Sequence, residues 1–262
     1  MDLGLTGKRA IVTGASRGIG LAVARGLAAE GATVVMVARG EDDLAAAART
    51  VDGATITVAA DTTDDVSVRA MVEQVVAELG GVDVLVNAAA QPAGGGPVPP
   101  LAELPDAAVQ ADFDTKVLGY LRTARAVAPH MTSQGWGRIV NISGLNARRT
   151  GSISGAIRNV AVAALTANLA DELGPHGVGV VVVHPGMVET ERTARVVADG
   201  MARTGRTEEQ VRADLGAASS LGRMVTVAEV ADVVVFLSSP RAAGVTGDAV
   251  GVGGGNRGAI HY

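Results

Sequence analysis

Six short runs of β-branched and other apolar residues recur along the chain, at 10–13, 33–37, 56–59, 84–87, 139–142 and 178–183, with alanine-rich helical patterns between them. The runs are nearly continuous rather than alternating. A strand apolar at every position must be covered on both faces, which a parallel sheet flanked by helices provides. Strands that alternate with helices therefore predict an α/β protein with a Rossmann-type doubly wound parallel β-sheet and helices on both faces. The 262 residues are 48% hydrophobic, enough for one large core, and no repeat or linker is evident. A single domain over 1–262 is expected, with the charged, weakly periodic stretch 189–221 as either a substrate lid or a plain solvated helical excursion.

Composition closes several functional classes. A net charge of −5 and an aromatic content of 2% supply neither a basic stripe for phosphates nor a platform for bases, so no nucleic acid is expected as partner. The chain has no cysteine, which removes disulfides, thiol nucleophiles and thiolate metal sites. Its four histidines, His130, His176, His184 and His261, are scattered, and no metal is expected. No basic and apolar leader opens the sequence, and no apolar run approaches the roughly 18 residues of a membrane span. These readings give the expectation of a cytoplasmic protein with no membrane partner.

The first run passes through Gly14-Ala15-Ser16-Arg17-Gly18-Ile19-Gly20 into an amphipathic helix that starts near Ile19. Glycines at such a turn permit positive φ and let the backbone approach a pyrophosphate, whose charge meets the N–H groups at the helix start. At the end of the second run, where an acidic residue would bind a ribose 2′-hydroxyl, stands Ala38, followed by Arg39. Arg39 and Arg17 together suit a 2′-phosphate, so NADP(H) is preferred as cofactor, with NAD(H) left open.

The spacing Thr13-Gly14-x-x-x-Gly18-x-Gly20 resembles the short-chain dehydrogenase/reductase family. Matches continue at Asp61, Asn87, Asn141-Ile142-Ser143 and Pro185-Gly186, and end at Val245-Thr246-Gly247-Asp248 with Gly253-Gly254, where the last strand of that fold is expected. The resemblance implies that Asp61 and Thr62 approach the adenine, that Asn87, Ala88, Ala89 and Ala90 line the adenosine ribose, and that Val188 and Thr190, beside Pro185 and Gly186, hold the nicotinamide carboxamide and phosphates. Ala88 and Ala90 depart from the family, which usually has asparagine and glycine there. The helix over 160–173 resembles one that packs against a second subunit, which implies a homodimer or homotetramer.

The family protonates its substrate with a tyrosine whose pKa is lowered by a lysine four residues later. In the register set by Leu165-Thr166 and Leu169-Ala170, the tyrosine position is Gly155 and the lysine position Asn159. No shift of register restores the pair, because the tyrosines are Tyr120 and Tyr262 and the lysines Lys8 and Lys116. The family serine becomes Gly144, next to Ser143, and the family asparagine becomes Lys116. Lys116 is thus the candidate proton donor or oxyanion stabiliser, or else a structural ammonium bound to helix carbonyls or to a carboxylate such as Asp112. Ser143 is the candidate that orients a substrate oxygen. Ser154 and His184 are weaker candidates, Arg158 is expected to point away from the active face, and Tyr262 is not expected to act.

Three functions fit these residues. The first is an NADP(H)-dependent oxidoreductase with an atypical site, acting on a carbonyl, alcohol or imine of small size. The second is a non-catalytic NADP(H)-binding sensor or inactive partner subunit. The third is non-redox chemistry on the same scaffold. The intact cofactor features favour the first.

Overall fold

The computed structural model describes residues 1–90 and 98–258. Along the first half run β1 (Arg9–Thr13), α1 (Gly18–Ala29), β2 (Thr33–Ala38), α2 (Glu41–Ala48), β3 (Thr55–Ala59), α3 (Asp65–Leu79) and β4 (Val84–Asn87). Then come α4 (Asp106–Phe113), α5 (Gly119–Gln134), β5 (Gly137–Ile142), α6 (Ile153–Leu173) and β6 (Val178–Pro185). The chain closes with β7 (Val188–Glu189), α7 (Thr193–Thr204), α8 (Glu208–Gly216), β8 (Val225–Thr226), α9 (Val227–Leu237) and β9 (Ala249–Val252).

Seven strands form one parallel sheet in the order β3-β2-β1-β4-β5-β6-β9. This is the doubly wound architecture that the apolar runs predict, and β1 shows why both faces had to be apolar. Ala10 and Val12 pack toward α1 and α9, whereas Ile11 packs on the opposite face toward α3 and α5. The strand order reverses between β1 and β4, which run parallel, and the crevice at the carboxyl ends of these two strands is where such sheets receive ligands.

Two expectations are corrected. The last strand is Ala249–Val252, not 245–248. Residues 245–248 form the turn before it, held by the Gly247 N–H donating to the Val180 carbonyl at 2.8 Å, with Gly247 at φ +73°. The segment Ile153–His176 is long and apolar enough by length and composition to cross a membrane, which the sequence reading passed over. In this fold α6, which makes up most of that segment, lies against β6 and buries Val162, Thr166, Ala170 and Leu173. The stretch 189–221 starts on the last residue of β7 and contains α7 and α8. Residues 91–97 of the loop expected at 91–105 lie outside the described residues, as do His261 and Tyr262.

Candidate active site

The turn after β1 is shaped by what its glycines exclude. A Cβ on Gly14, which sits at φ +67°, would come within 2.9 Å of the Ala88 carbonyl, and one on Gly20 would come within 2.3 Å of the Gly14 carbonyl oxygen. Only bare backbone lets β1, β4 and α1 approach this closely. The result is an open cavity of about 660 Å³ over the sheet's switch point. Gly14, Ser16, Arg17, Gly18, Ile19, Gly20, Arg39, Asp61, Thr62, Ala88, Ala89, Thr190, Lys116 and Ser143 all line it.

Other expected residues lie elsewhere. Asn87 is fully buried beneath the cavity, where its Nδ2 donates to Asn141 Oδ1 at 3.0 Å and its Oδ1 accepts from Thr123 Oγ1 at 2.7 Å. Asn141 Nδ2 donates in turn to Thr166 Oγ1 at 3.0 Å, so this network ties β4 and β5 to α5 and α6. Pro185 ends β6, Gly186 lines a separate cleft with Met187 and Ser219, and Val188 pairs with Val225.

At the cofactor end, the chain already offers an anion to the start of α1. The Gly18 N–H donates to Glu191 Oε1 at 3.4 Å, and α1 has no side-chain cap of its own. A carboxylate here stands where the helix dipole favours negative charge. Among the described residues neither Arg17 nor Arg39 makes an ion pair. At Asp61 burial works to raise the pKa, but hydrogen bonds from the Thr63 N–H and hydroxyl and the charges of Arg39 and Arg122 outweigh it and hold the carboxyl below its ordinary value. The cradle, the free guanidinium groups and the ionised Asp61 fit a dinucleotide carrying a further phosphate.

At the other end, Lys116 sits in the π-helical turn Asp114–Leu118 between α4 and α5, a distortion that recurs at functional sites. Lys116 is 5% exposed. Its Nζ donates to the Ser143 carbonyl at 2.9 Å and to Asn159 Oδ1 at 3.0 Å. Neither a helix carbonyl nor Asp112 binds it, which corrects the structural expectation. Burial above all, then the positive charge of Arg158, pulls the ammonium down to about 7, while Asp112 works the other way. Gly144 and Asn159 are matched, since a Cβ on Gly144 would come within 2.9 Å of Asn159 Nδ2. Ser143 Oγ donates to the Asn159 carbonyl at 3.1 Å.

Tyr120 also lines the cavity, but its hydroxyl is given to the Ile142 carbonyl at 2.9 Å and burial drives its pKa upward. It is a poor acid there. His184 is buried, with Nδ1 accepting from the Gly144 N–H at 3.4 Å; burial, then Arg148 and Lys116, lowers its pKa to about 4, so the ring is neutral and structural at neutral pH. Arg158 does not point away, as expected, but lines the cavity and pairs through Nη1 with Asp112 Oδ1 at 2.6 Å. Asp43, Glu191 and Arg192 also line the cavity and carry no motif that could have singled them out.

Residues 8–200 match the short chain dehydrogenase family. The short-chain reductase protein NovJ of Streptomyces niveus is 39% identical over 250 residues, covering 94% of this chain and 92% of that protein. The monensin polyketide synthase putative ketoacyl reductase of Streptomyces virginiae is 36% identical over 258 residues, covering 95% and 97%. Among solved structures, an L-sorbose reductase from Gluconobacter frateurii complexed with NADPH and L-sorbose superposes with a TM-score of 0.91 at 31% identity, over 99% of this chain and 100% of that one. The matched region includes the glycine turn, the π-helical turn with Lys116 and the strands that flank the cavity, and the chain belongs to the short-chain dehydrogenase family.

Proposed function

We propose that this chain is an NADP(H)-dependent reductase of small carbonyl or imine compounds in which Lys116 takes the part the family gives to a phenol. The observation that carries this reading is the placement of the Lys116 ammonium, with a pKa near 7, in the same cavity as the glycine turn. Relatives named as reductases and a structural neighbour holding NADPH support it. When bound, the dinucleotide supplies a hydride. Gly18, Ile19 and Gly20 would hold its pyrophosphate at the start of α1, Arg17 and Arg39 its 2′-phosphate, and Asp61 and Thr62 its adenine side.

Lys116 is fixed by two acceptors, the Ser143 carbonyl and Asn159 Oδ1, and its ammonium keeps a third N–H for a substrate oxygen or nitrogen. That N–H stabilises developing negative charge and can release its proton near neutral pH. Asn159, at the family's lysine position, and Lys116, at its asparagine position, exchange the residue types and leave an amine in the site. Gly155, at the tyrosine position, favours a second reading, a protein that binds NADP(H) without turnover. The chain is further proposed to act as a homodimer or homotetramer and to work in the cytoplasm.

Titration with NADPH and NADH, followed by NADPH oxidation over a panel of ketones, aldehydes and imines, tests both readings. Tight NADPH binding with turnover supports the reductase. Tight binding with no turnover on the whole panel favours the binding protein, and absence of NADPH binding refutes both.

A further inference from the structure

Arg158 is only half used. Its Nη1 pairs with Asp112 Oδ1, and Asp112 is satisfied at its other oxygen by the Ser154 hydroxyl. The Arg158 Nε, by contrast, is buried and has no hydrogen-bond partner among the described residues. Arg9 gives the comparison within the same molecule. There Nε and Nη2 together grip the Asp83 carboxylate at 2.7 and 3.0 Å, the side-on fork that a guanidinium offers a planar oxyanion. The corresponding edge of Arg158 is the one that Asp112 leaves free, on a side chain that lines the cavity beside Lys116 and Ser143.

Local charge points the same way. Lys116, Arg158, Arg17, Arg39 and Arg192 line the cavity against the carboxylates Asp43, Asp61 and Glu191, and among the described residues Asp112 is the carboxylate that acts on Lys116. Arg148 adds a third cation close enough to act, with Lys116, on His184. An unbonded buried guanidinium N–H is destabilising, and an oxyanion from a ligand is the partner that removes that penalty once the Arg158 side chain turns toward the cavity.

We propose that Arg158 is the recognition residue for an anionic group on the substrate, a carboxylate or a phosphate, so that this site takes acidic rather than neutral carbonyl compounds. The inference rests on the reductase reading for the identity of the reacting group, and on Arg158 alone for the charge. A bound anion would also favour the protonated form of Lys116, since opposite charge stabilises an ammonium.

The test is calorimetric titration of the protein, with and without saturating NADP⁺, using two matched pairs as probes: levulinate against methyl levulinate, and dihydroxyacetone phosphate against dihydroxyacetone. The expected result is at least about tenfold tighter binding of one anionic member than of its neutral partner, in line with a charge-assisted guanidinium fork. The pair that shows the preference identifies carboxylate or phosphate. Asp112→Asn should strengthen the preference several-fold by removing the competing negative charge and weakening the hold on Nη1, and Asp112→Asn/Arg158→Met should abolish it with the far-ultraviolet circular dichroism unchanged. Should the double variant fail to fold, the opposite sign expected of Asp112→Asn still decides.

Equal binding of both members of both pairs, or a preference unmoved by Asp112→Asn, overturns the proposal. A parallel NADPH fluorescence titration separates the two ideas. Anion preference without NADPH binding keeps the Arg158 site and refutes the reductase, whereas NADPH binding without anion preference does the reverse.

Discussion

At Lys116 one nitrogen answers to burial, to Arg158 and to two fixed acceptors at once. In the proposed mechanism the protonated amine is the donor, so the rate of reduction should fall as pH rises through about 7. Lys116→Met should lower turnover about a hundredfold or more while NADPH still binds. Lys116→Arg, which keeps the charge and does not release a proton, should flatten the pH profile. The same shift acts on stability. The folded pKa lies below the unfolded value, so between about 7 and 10.5 the unfolded chain holds more protons, and stability rises with pH across that window. Urea denaturation at both ends of the window should show this slope in the wild type and lose it in Lys116→Met. The position of Lys116 was legible from sequence through the family register. Its partners were not, because Ser143 and Asn159 lie 27 and 43 residues away and only the crossing of β5 and α6 brings them to its nitrogen.

Among the elements, α1 and the segment after β7 compete for one place. Glu191 caps the Gly18 N–H, so a pyrophosphate must displace a carboxylate or share the helix start with it. Glu191→Gln should therefore tighten NADPH binding by about two- to fivefold, the scale of one charge at a helix terminus. Arg39→Ala should weaken NADPH binding about tenfold and leave NADH nearly unchanged, since only the 2′-phosphate is lost as a partner. Fluorescence titration reads both. Arg158 shows where sequence reasoning at this scale fell short. It stands three residues after Gly155, on a neighbouring stripe of α6, and a long side chain on a helix runs back toward the N-terminus. That direction carries it to Asp112 and into the cavity.

Across the whole molecule, the sheet is joined to the end of α9 and the loop that leads to β9 by a buried cation. Arg138 on β5 is 3% exposed and donates to the carbonyls of Leu237, Ala242 and Val245, each at 3.0 Å. Gly179 on β6 makes room for it, since a Cβ there would come within 1.9 Å of Arg138 Nη1. Arg138→Met strips three carbonyls of their donor and should cost about 2–4 kcal/mol, read as a lower urea midpoint. Ile153, Ile157 and Val160 on α6 are 45%, 48% and 50% exposed, an apolar stripe that suits a second subunit. Light scattering at micromolar concentration should give a dimer or tetramer, and Ile157→Glu should shift it toward the monomer.

The sequence by itself determined the sheet architecture and the phosphate turn, because short runs of residue types announce both. Strands such as β1 declare two buried faces by being apolar at consecutive positions, and Gly14 and Gly20 are demanded by backbone contacts that a Cβ would block. The position of β9 was misread because the family match at Val245-Thr246-Gly247-Asp248 reads as the strand itself, while these residues form a turn set by a hydrogen bond to Val180 on another strand. Asn87, expected at the cofactor, has a buried side chain bonded to Asn141 and Thr123 from other elements, partners that no local pattern names. Which cations surround the reacting end, and which of their N–H groups stay unbonded, was decided by tertiary structure alone. Hydrogen bonds and charges between distant residues depend on distances that no local pattern encodes.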